Sequence, residues 1–249
     1  ELILVAQETT MYGTDLYGEK RLPQLLRELC KINGLRWIRI LYCYPEEITD
    51  ELIQVMKEEP KICHYLDLPI QHASDRILKR MGRRTSKEQL IETIEKLRRE
   101  IPDIALRTTL ITGFPGETQE QHEELMDFVD QMEFDRLGVF TYSPEEDTPA
   151  ASMPDQIPEE VKEDRQAELM ELQQDIVFDQ AEDRIGEELL VMIEGKVADE
   201  NAYVGRTYRD APNVDGLIFV NTSEELMSGD FARVKVTGSA DYDLIGELL

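Results

Sequence analysis

Five apolar runs dominate the first 142 residues: "LILVA" (2–6), "WIRILY" (37–42), "HYLDL" (64–68), "ALRTTLI" (105–111) and "RLGVFTY" (136–142). Helical spacing of apolar residues fills the gaps. Leu22, Leu25, Leu26 and Leu29 mark 22–32. Leu52, Ile53 and Met56 mark 49–58. Leu90, Ile91, Ile94 and Leu97 mark 87–100, and Leu125, Phe128 and Val129 mark 119–131. Strand and helix alternate at a period of roughly 30 residues. Parallel strands need a long crossover, usually a helix, so this alternation predicts a parallel β/α array. Ser86 with Gln89 and Thr118 with Gln121 have capping-box spacing. A long charged helix is predicted over about 159–182, after Pro158.

Past Gly186 the period changes. "ELLVMIE" (188–194), "AYVGRTY" (202–208), "GLIFVN" (216–221), "FARVKV" (231–236) and "DLIGEL" (243–248) read as short alternating strands separated by turns. Five such strands in so short a span predict a small antiparallel β-barrel. Two domains are therefore expected, 1–181 and 182–249.

Loops at the carboxyl ends of the strands of a parallel array converge on one rim, so chemistry is sought there. These loops are "QETTMYG", Cys43-Tyr44-Pro45, "PIQHAS", "TGFPGET" and "SPEEDTPA". Gln71 and Ser74 are polar groups able to donate and accept. His72 is a candidate acid or base, or else a packed or capping side chain. Ser74 also sits where it would cap a helix starting near Asp75. "TGFPGET" could cradle an anion with its N–H groups but lacks the Gly-Lys-Ser/Thr of a phosphate loop. Arg76, Lys79, Arg80, Arg83 and Arg84 form an unusual basic group in a chain of net charge −26. Their plain reading is a solvated helix face.

Cys30, Cys43 and Cys63 have no metal-ligand spacing and read as buried hydrophobes in a reducing, cytoplasmic protein. No metal ligand set and no membrane span is expected. The chain opens without Met inside an apolar run and reads as part of a longer protein.

Longer motifs go beyond this. "LVAQETTMYGTDLYG" (4–18), "YLDLPIQHASDRILKRMGRR" (65–84), "RTTLITGFPGET" (107–118), "FDRLGVFTYSPEEDTPA" (134–150) and "VGRTYRDAPNVDG" (204–216) occur in this order. Together they resemble the radical S-adenosylmethionine methylthiotransferases, over essentially the whole chain. "LPIQHAS" resembles the branch that methylthiolates an aspartate of a small-subunit ribosomal protein; the tRNA-modifying branch tends to carry a Gln-Ser-Gly-Ser form there.

The resemblance implies a partial, TIM-like β/α barrel of the radical SAM type followed by a TRAM barrel. It also implies S-adenosylmethionine and two 4Fe-4S clusters in the full-length enzyme. One cluster is held by three cysteines of an N-terminal domain and one by a CxxxCxxC loop. This sequence contains no such loop, so the first strand here would be the family's second, and the chain alone is expected to be inactive. The implied reaction is reductive cleavage of S-adenosylmethionine, hydrogen abstraction at the aspartate β-carbon, and installation of a methylthio group. By the same resemblance Gln7, Gln71, Ser74 and Arg107 are candidates for the cofactor's amino, ribose and carboxylate groups, and Tyr142 for its adenine side. Glu117 is read as a cap of its own helix.

Charge bears on the substrate. Residues 182–249 carry six basic and fifteen acidic side chains, which opposes a phosphate backbone and suits a basic ribosomal protein. Arg206 and Arg209 together could still form a local basic patch. The rival readings are a tRNA methylthiotransferase and a non-catalytic binding module.

Overall fold

The computed structural model describes residues 1–249. The chain divides between Gln173 and Gln174 into two compact units.

The first unit is built on a parallel sheet of five strands in sequential order: β1 (Leu2–Leu4), β2 (Ile38–Ile40), β3 (Ile62–Asp67), β4 (Ala105–Thr112) and β5 (Arg136–Thr141). The helices are α1 (Thr14–Tyr17), α2 (Leu22–Cys30), α3 (Asp50–Glu58), α4 (Asp75–Arg80), α5 (Lys87–Glu100), α6 (Gln119–Met132) and α7 (Glu159–Asp183), the last running on into the second unit. Each predicted strand forms; β1, β2 and β5 are shorter than predicted, while β3 starts two residues earlier and β4 ends one residue later, and both capping boxes are present, Ser86 with Gln89 and Thr118 with Gln121.

β4 shows how the strand sequence sorts its faces. Leu106, Thr108, Leu110 and Thr112 are buried, while Arg107, Thr109 and Ile111 alternate with them and are only partly buried. Side chains on a strand alternate faces, so Arg107 and Thr109 share one face of the sheet. Leu90, Ile94 and Leu97 of α5 and Leu125, Phe128 and Val129 of α6 are buried, as their spacing requires.

The second unit holds β6 (Glu188–Lys196), β7 (Ala202–Arg206), β8 (Ile218–Asn221), β9 (Phe231–Ala240) and β10 (Asp243–Leu248), closed in the order β10-β8-β7-β6-β9. The core contains Val191, Ile193, Tyr203, Ile218, Val220, Val234 and Val236. Four seams are antiparallel, as expected; the fifth, β10 against β8, is parallel. The one parallel seam follows from parity: five strands cannot alternate direction all round a closed ring.

Candidate functional site

The rim at the carboxyl ends of β1 to β5 is tied together by buried polar groups. Glu8, after β1, is its first anchor. One carboxylate oxygen accepts from the Thr10 N–H at 2.9 Å and from the Thr10 hydroxyl, and the other from the Tyr44 N–H at 2.8 Å. It joins the loops after β1 and β2. Its neighbour Gln7, the residue singled out from sequence, is exposed.

Asp67, at the end of β3, is the second anchor. Its buried carboxylate accepts from Arg107 Nη1 at 2.9 Å and from the Tyr42 N–H at 3.2 Å. Arg107 also donates to Thr109 Oγ1 at 3.3 Å. The candidate Arg107 thus lies at the start of β4, paired across the sheet.

Beyond β3 the chain turns at Gln71, whose φ is 72°. Its backbone still pairs with β4: its N–H donates to Thr109 O at 2.9 Å, and its carbonyl accepts from the Ile111 N–H at 2.8 Å. Gln71 is thereby placed beside the upper part of β4 with its side chain partly exposed.

His72 is fully buried. Nδ1 accepts from the Ala73 N–H at 3.0 Å and the Ser74 N–H at 2.9 Å. A nitrogen that accepts two N–H bonds carries no proton, so the tautomer is fixed with the proton on Nε2, which faces Glu117 Oε2 at 3.5 Å. The acid–base reading of His72 is therefore corrected to the capping alternative. Ser74 occupies the N-cap position of α4, but its side chain makes no cap hydrogen bond; the imidazole has taken over its N–H.

Glu117 is the third anchor. It accepts from the Gly113 N–H at 2.8 Å, the Phe114 N–H at 3.3 Å and Arg165 Nη1 of α7 at 2.8 Å. It does not cap its own helix, which Thr118 caps; it fills the glycine loop. The loop does cradle an anion, and the anion is the protein's own carboxylate. Burial disfavours this charge, but the neighbouring His72 imidazole, Arg165 and the Gly113 N–H hold the carboxyl below its ordinary value.

Tyr142, just past β5, stacks edge-on against Phe114 with ring centroids 5.1 Å apart. Its hydroxyl is buried and has no partner. The structure thus places Gln71 and Ser74 beyond β3, Gln71 also paired alongside β4, and Tyr142 just past β5, with Arg107 deeper in the sheet and Gln7 on the far β1 edge.

Two of the five basic residues after β3 work inside the rim. Arg83 donates to Pro69 O at 2.7 Å and stacks 4.4 Å over the Tyr44 ring. Arg80 lies against Gly116, where a Cβ would come within 3.1 Å of its guanidinium. They bind neighbouring loops to one another. Arg76, Lys79 and Arg84 are exposed, as a solvated face requires.

All three cysteines are buried. Burial, then Glu59, pushes the Cys30 thiol up to about 11; burial, then Glu8 and Asp67, pushes Cys43 well above its ordinary value. No three of the His, Cys, Asp and Glu side chains stand together in a group that could hold a metal ion. The rim does fit the organic part of a nucleoside cofactor: an aromatic pair, a buried hydroxyl without a partner, and the amide of Gln71.

In the barrel Arg206 is 2% exposed. It donates to Glu194 at 2.5 Å and to Asp210 O at 2.8 Å. Arg209 is also buried and donates to Tyr208 Oη at 2.9 Å. The basic patch that these two could have formed is absent, because internal partners hold both. Arg233 is paired with Glu188 and Arg184 with Glu187.

Sequence reasoning missed Glu8, Asp67 and Tyr42. Asp67 had a signal, a carboxylate inside the apolar run "HYLDL", since a buried charge demands partners. Tyr42 had none, because a left-handed backbone at tyrosine leaves no trace in sequence.

A parallel β/α sheet with a polar rim and a closed five-stranded barrel define the class. The Radical SAM superfamily matches residues 1–129 and the TRAM domain matches residues 185–249. The chain belongs to the radical SAM superfamily. It is 68% identical to the ribosomal protein uS12 methylthiotransferase RimO of Lachnoclostridium phytofermentans over 99% of this chain and 56% of that protein. It is 53% identical to the RimO of Desulfitobacterium hafniense over 100% of this chain and 56% of that protein. The chain thus spans about half the length of the curated relatives it matches. A radical S-adenosylmethionine methyltransferase, TsrM from Kitasatospora setae, aligns with a TM-score of 0.40 at 20% identity, covering 48% of this chain and 24% of that one. No helix is long and apolar enough to cross a membrane.

Proposed function

We propose that this chain forms the substrate-facing core and docking barrel of a cytoplasmic radical SAM methylthiotransferase that modifies the β-carbon of an aspartate in ribosomal protein uS12. The observation that carries the reading is the likeness at 68% identity over nearly the whole chain to a protein named as a ribosomal protein uS12 methylthiotransferase; the aspartate β-carbon is the finer part of the proposal. The rim chemistry agrees with it. Gln71, Ser74 and Tyr142 would hold the nucleoside and amino acid groups of S-adenosylmethionine, with Arg107 and Gln7 as further candidates. When bound, that cofactor supplies the radical chemistry. The chain's own residues orient it: Glu117, His72 and Arg165 fix the loops after β3 and β4, and Glu8 and Asp67 fix those after β1 and β2. The two 4Fe-4S clusters of such an enzyme are assigned to residues outside these 249, because no three ligating side chains stand together here, and these residues alone are inactive on this reading. The domain boundary is placed near residue 182, at the end of α7.

A protein substrate is favoured over tRNA by the internal pairing of Arg206 and Arg209 and by the acidic barrel. The test is direct. The enzyme carrying this chain, with clusters reconstituted, is incubated with S-adenosylmethionine and either purified uS12 or total tRNA. A methylthio group on a uS12 aspartate, found by peptide mass spectrometry, is expected. Modification of tRNA with none on uS12 overturns the choice of substrate.

The cofactor assignment has its own test. Gln71→Ala and Ser74→Ala should each weaken S-adenosylmethionine cleavage, since a lost hydrogen bond costs about 0.5–1.5 kcal/mol, or roughly 2- to 10-fold. Folding should change little. Ser74's hydroxyl caps nothing, and alanine at 71 inherits the same left-handed strain as glutamine. Cleavage at the parent rate by both variants removes these residues from the cofactor site.

A further inference from the structure

We propose that Tyr42 contacts the protein substrate, its ring receiving a lysine or arginine side chain, and that Asp67 is the positioning residue that holds it out; this rests on the reading of a basic protein as substrate. Eight non-glycine residues have positive φ. Five of them are Asp or Asn, which tolerate this region, and Glu133 ends α6. The remaining two, Tyr42 at 58° and Gln71 at 72°, stand at the carboxyl ends of adjacent strands. For a bulky side chain this conformation is a true outlier, and such strain persists only where surrounding bonds over-determine it.

Those bonds are present. The Tyr42 N–H donates to Asp67 Oδ2, the Tyr42 carbonyl accepts from the Thr9 N–H at 2.9 Å, and the Cys43 N–H donates to Asp67 O at 2.9 Å. Asp67 is itself buried and locked by Arg107. Glycine would adopt this backbone without strain. What tyrosine adds is its ring, and Tyr42 remains 49% exposed, so the strain is not repaid by packing inside the chain.

The surroundings define the ligand. Glu8, directly before Thr9, whose N–H pairs with the Tyr42 carbonyl, has only neutral donors, the Thr10 N–H and hydroxyl and the Tyr44 N–H, so its charge has no ion-pair partner. Glu46 is exposed, and the chain carries −26. An exposed aromatic face in such a field attracts a cation. The same loop already shows the interaction, with Arg83 over Tyr44.

Tyr42→Gly, Tyr42→Leu and Tyr42→Phe separate the possibilities in the enzyme carrying this chain, with purified uS12 as probe. Tyr42→Gly should raise the urea midpoint by releasing strain, yet raise KM for uS12 about 3- to 10-fold, with less change in kcat. Tyr42→Leu should raise KM similarly, and Tyr42→Phe should restore it. A residue kept for the fold would lose stability instead, and that outcome overturns the proposal. Parent KM in Tyr42→Gly overturns it too, and parent KM in Tyr42→Leu removes the cationic ligand. If the parent enzyme modifies uS12 while KM ignores residue 42, only the Tyr42 inference fails. If calorimetry shows uS12 binding that depends on the ring but no modification follows, only the functional reading fails. Absence of uS12 binding by the parent overturns both.

Discussion

Arg165→Met is expected to lower the unfolding free energy of the β/α unit by about 3–5 kcal/mol, the cost of leaving a buried carboxylate without its cation. Arg165 and Glu117 are both buried, their contact is 2.8 Å, and the carboxylate's other neighbours are the Gly113 and Phe114 N–H groups, the Thr112 hydroxyl and His72. These donors remain in the variant, but no full positive charge does. Urea denaturation followed at the β/α transition measures the loss; a change under 1 kcal/mol would show that the pair does not carry the loop. The double change Arg165→Met with Glu117→Leu should recover part of the loss, since removing both charges avoids the unpaired one. It should not recover all of it, because the Gly113 and Phe114 N–H groups are then orphaned, at about 1–3 kcal/mol. The pH dependence has a fixed sign. Glu117 is held below its ordinary value of 4.5, so its contribution is present above that pH and is lost as pH falls through the folded value. Glu117→Gln should therefore flatten the acid side of the stability profile below about pH 4.5 and lower the plateau at neutral pH.

The strands and helices were legible because they rest on local patterns. Alternation along "ALRTTLI" and helical spacing from Leu90 to Leu97 each encode one buried face, and burial decides the element. The barrel's strands were legible for the same reason, but its parallel seam was not, since strand direction around a closed ring is a property of the count. The rim was half legible. The polar loops identified themselves, but the partners within them did not. Glu117 reads from sequence as a cap of its own helix beside the capping box of Thr118 and Gln121; the structure keeps the box and turns Glu117 back onto Gly113. His72 reads equally as an acid or base or as a packed or capping side chain until its Nδ1 is found accepting from Ala73 and Ser74. In both cases the deciding fact is a contact between loops 45 residues apart in sequence or a single turn's geometry, and neither has a periodic signature. The basic group after β3 had the same ambiguity: Arg80 and Arg83 turn inward to the rim loops while their neighbours face water, a split that the helical spacing alone does not assign.

Gly205→Ala should lower the barrel's melting temperature by roughly 10–20 °C, while Gly195→Ala, one strand away, should leave it nearly unchanged. The two glycines flank the same irregularity. β6 and β7 pair Ile193 with Gly205 and Gly195 with Val204, so Glu194 is the extra residue of a bulge. A bulge bends its strand and draws the backbones together, which is how so small a ring closes. A Cβ on Gly205 would meet the Met192 carbonyl oxygen at 2.6 Å and Val191 Cγ1 at 2.6 Å. The first is backbone of the partner strand and the second a core side chain, so neither can yield without opening the seam. A Cβ on Gly195 meets nothing within 4 Å. Gly246 repeats the arrangement on the β9–β10 seam, where a Cβ would strike Val234 Cγ1 and lie 2.8 Å from the Lys235 carbonyl oxygen, again beside a register shift. Scanning calorimetry of the two alanine variants separates steric closure from a general intolerance of alanine in these strands: equal shifts for Gly195→Ala and Gly205→Ala would show that the close approach at Gly205 is not what limits the ring.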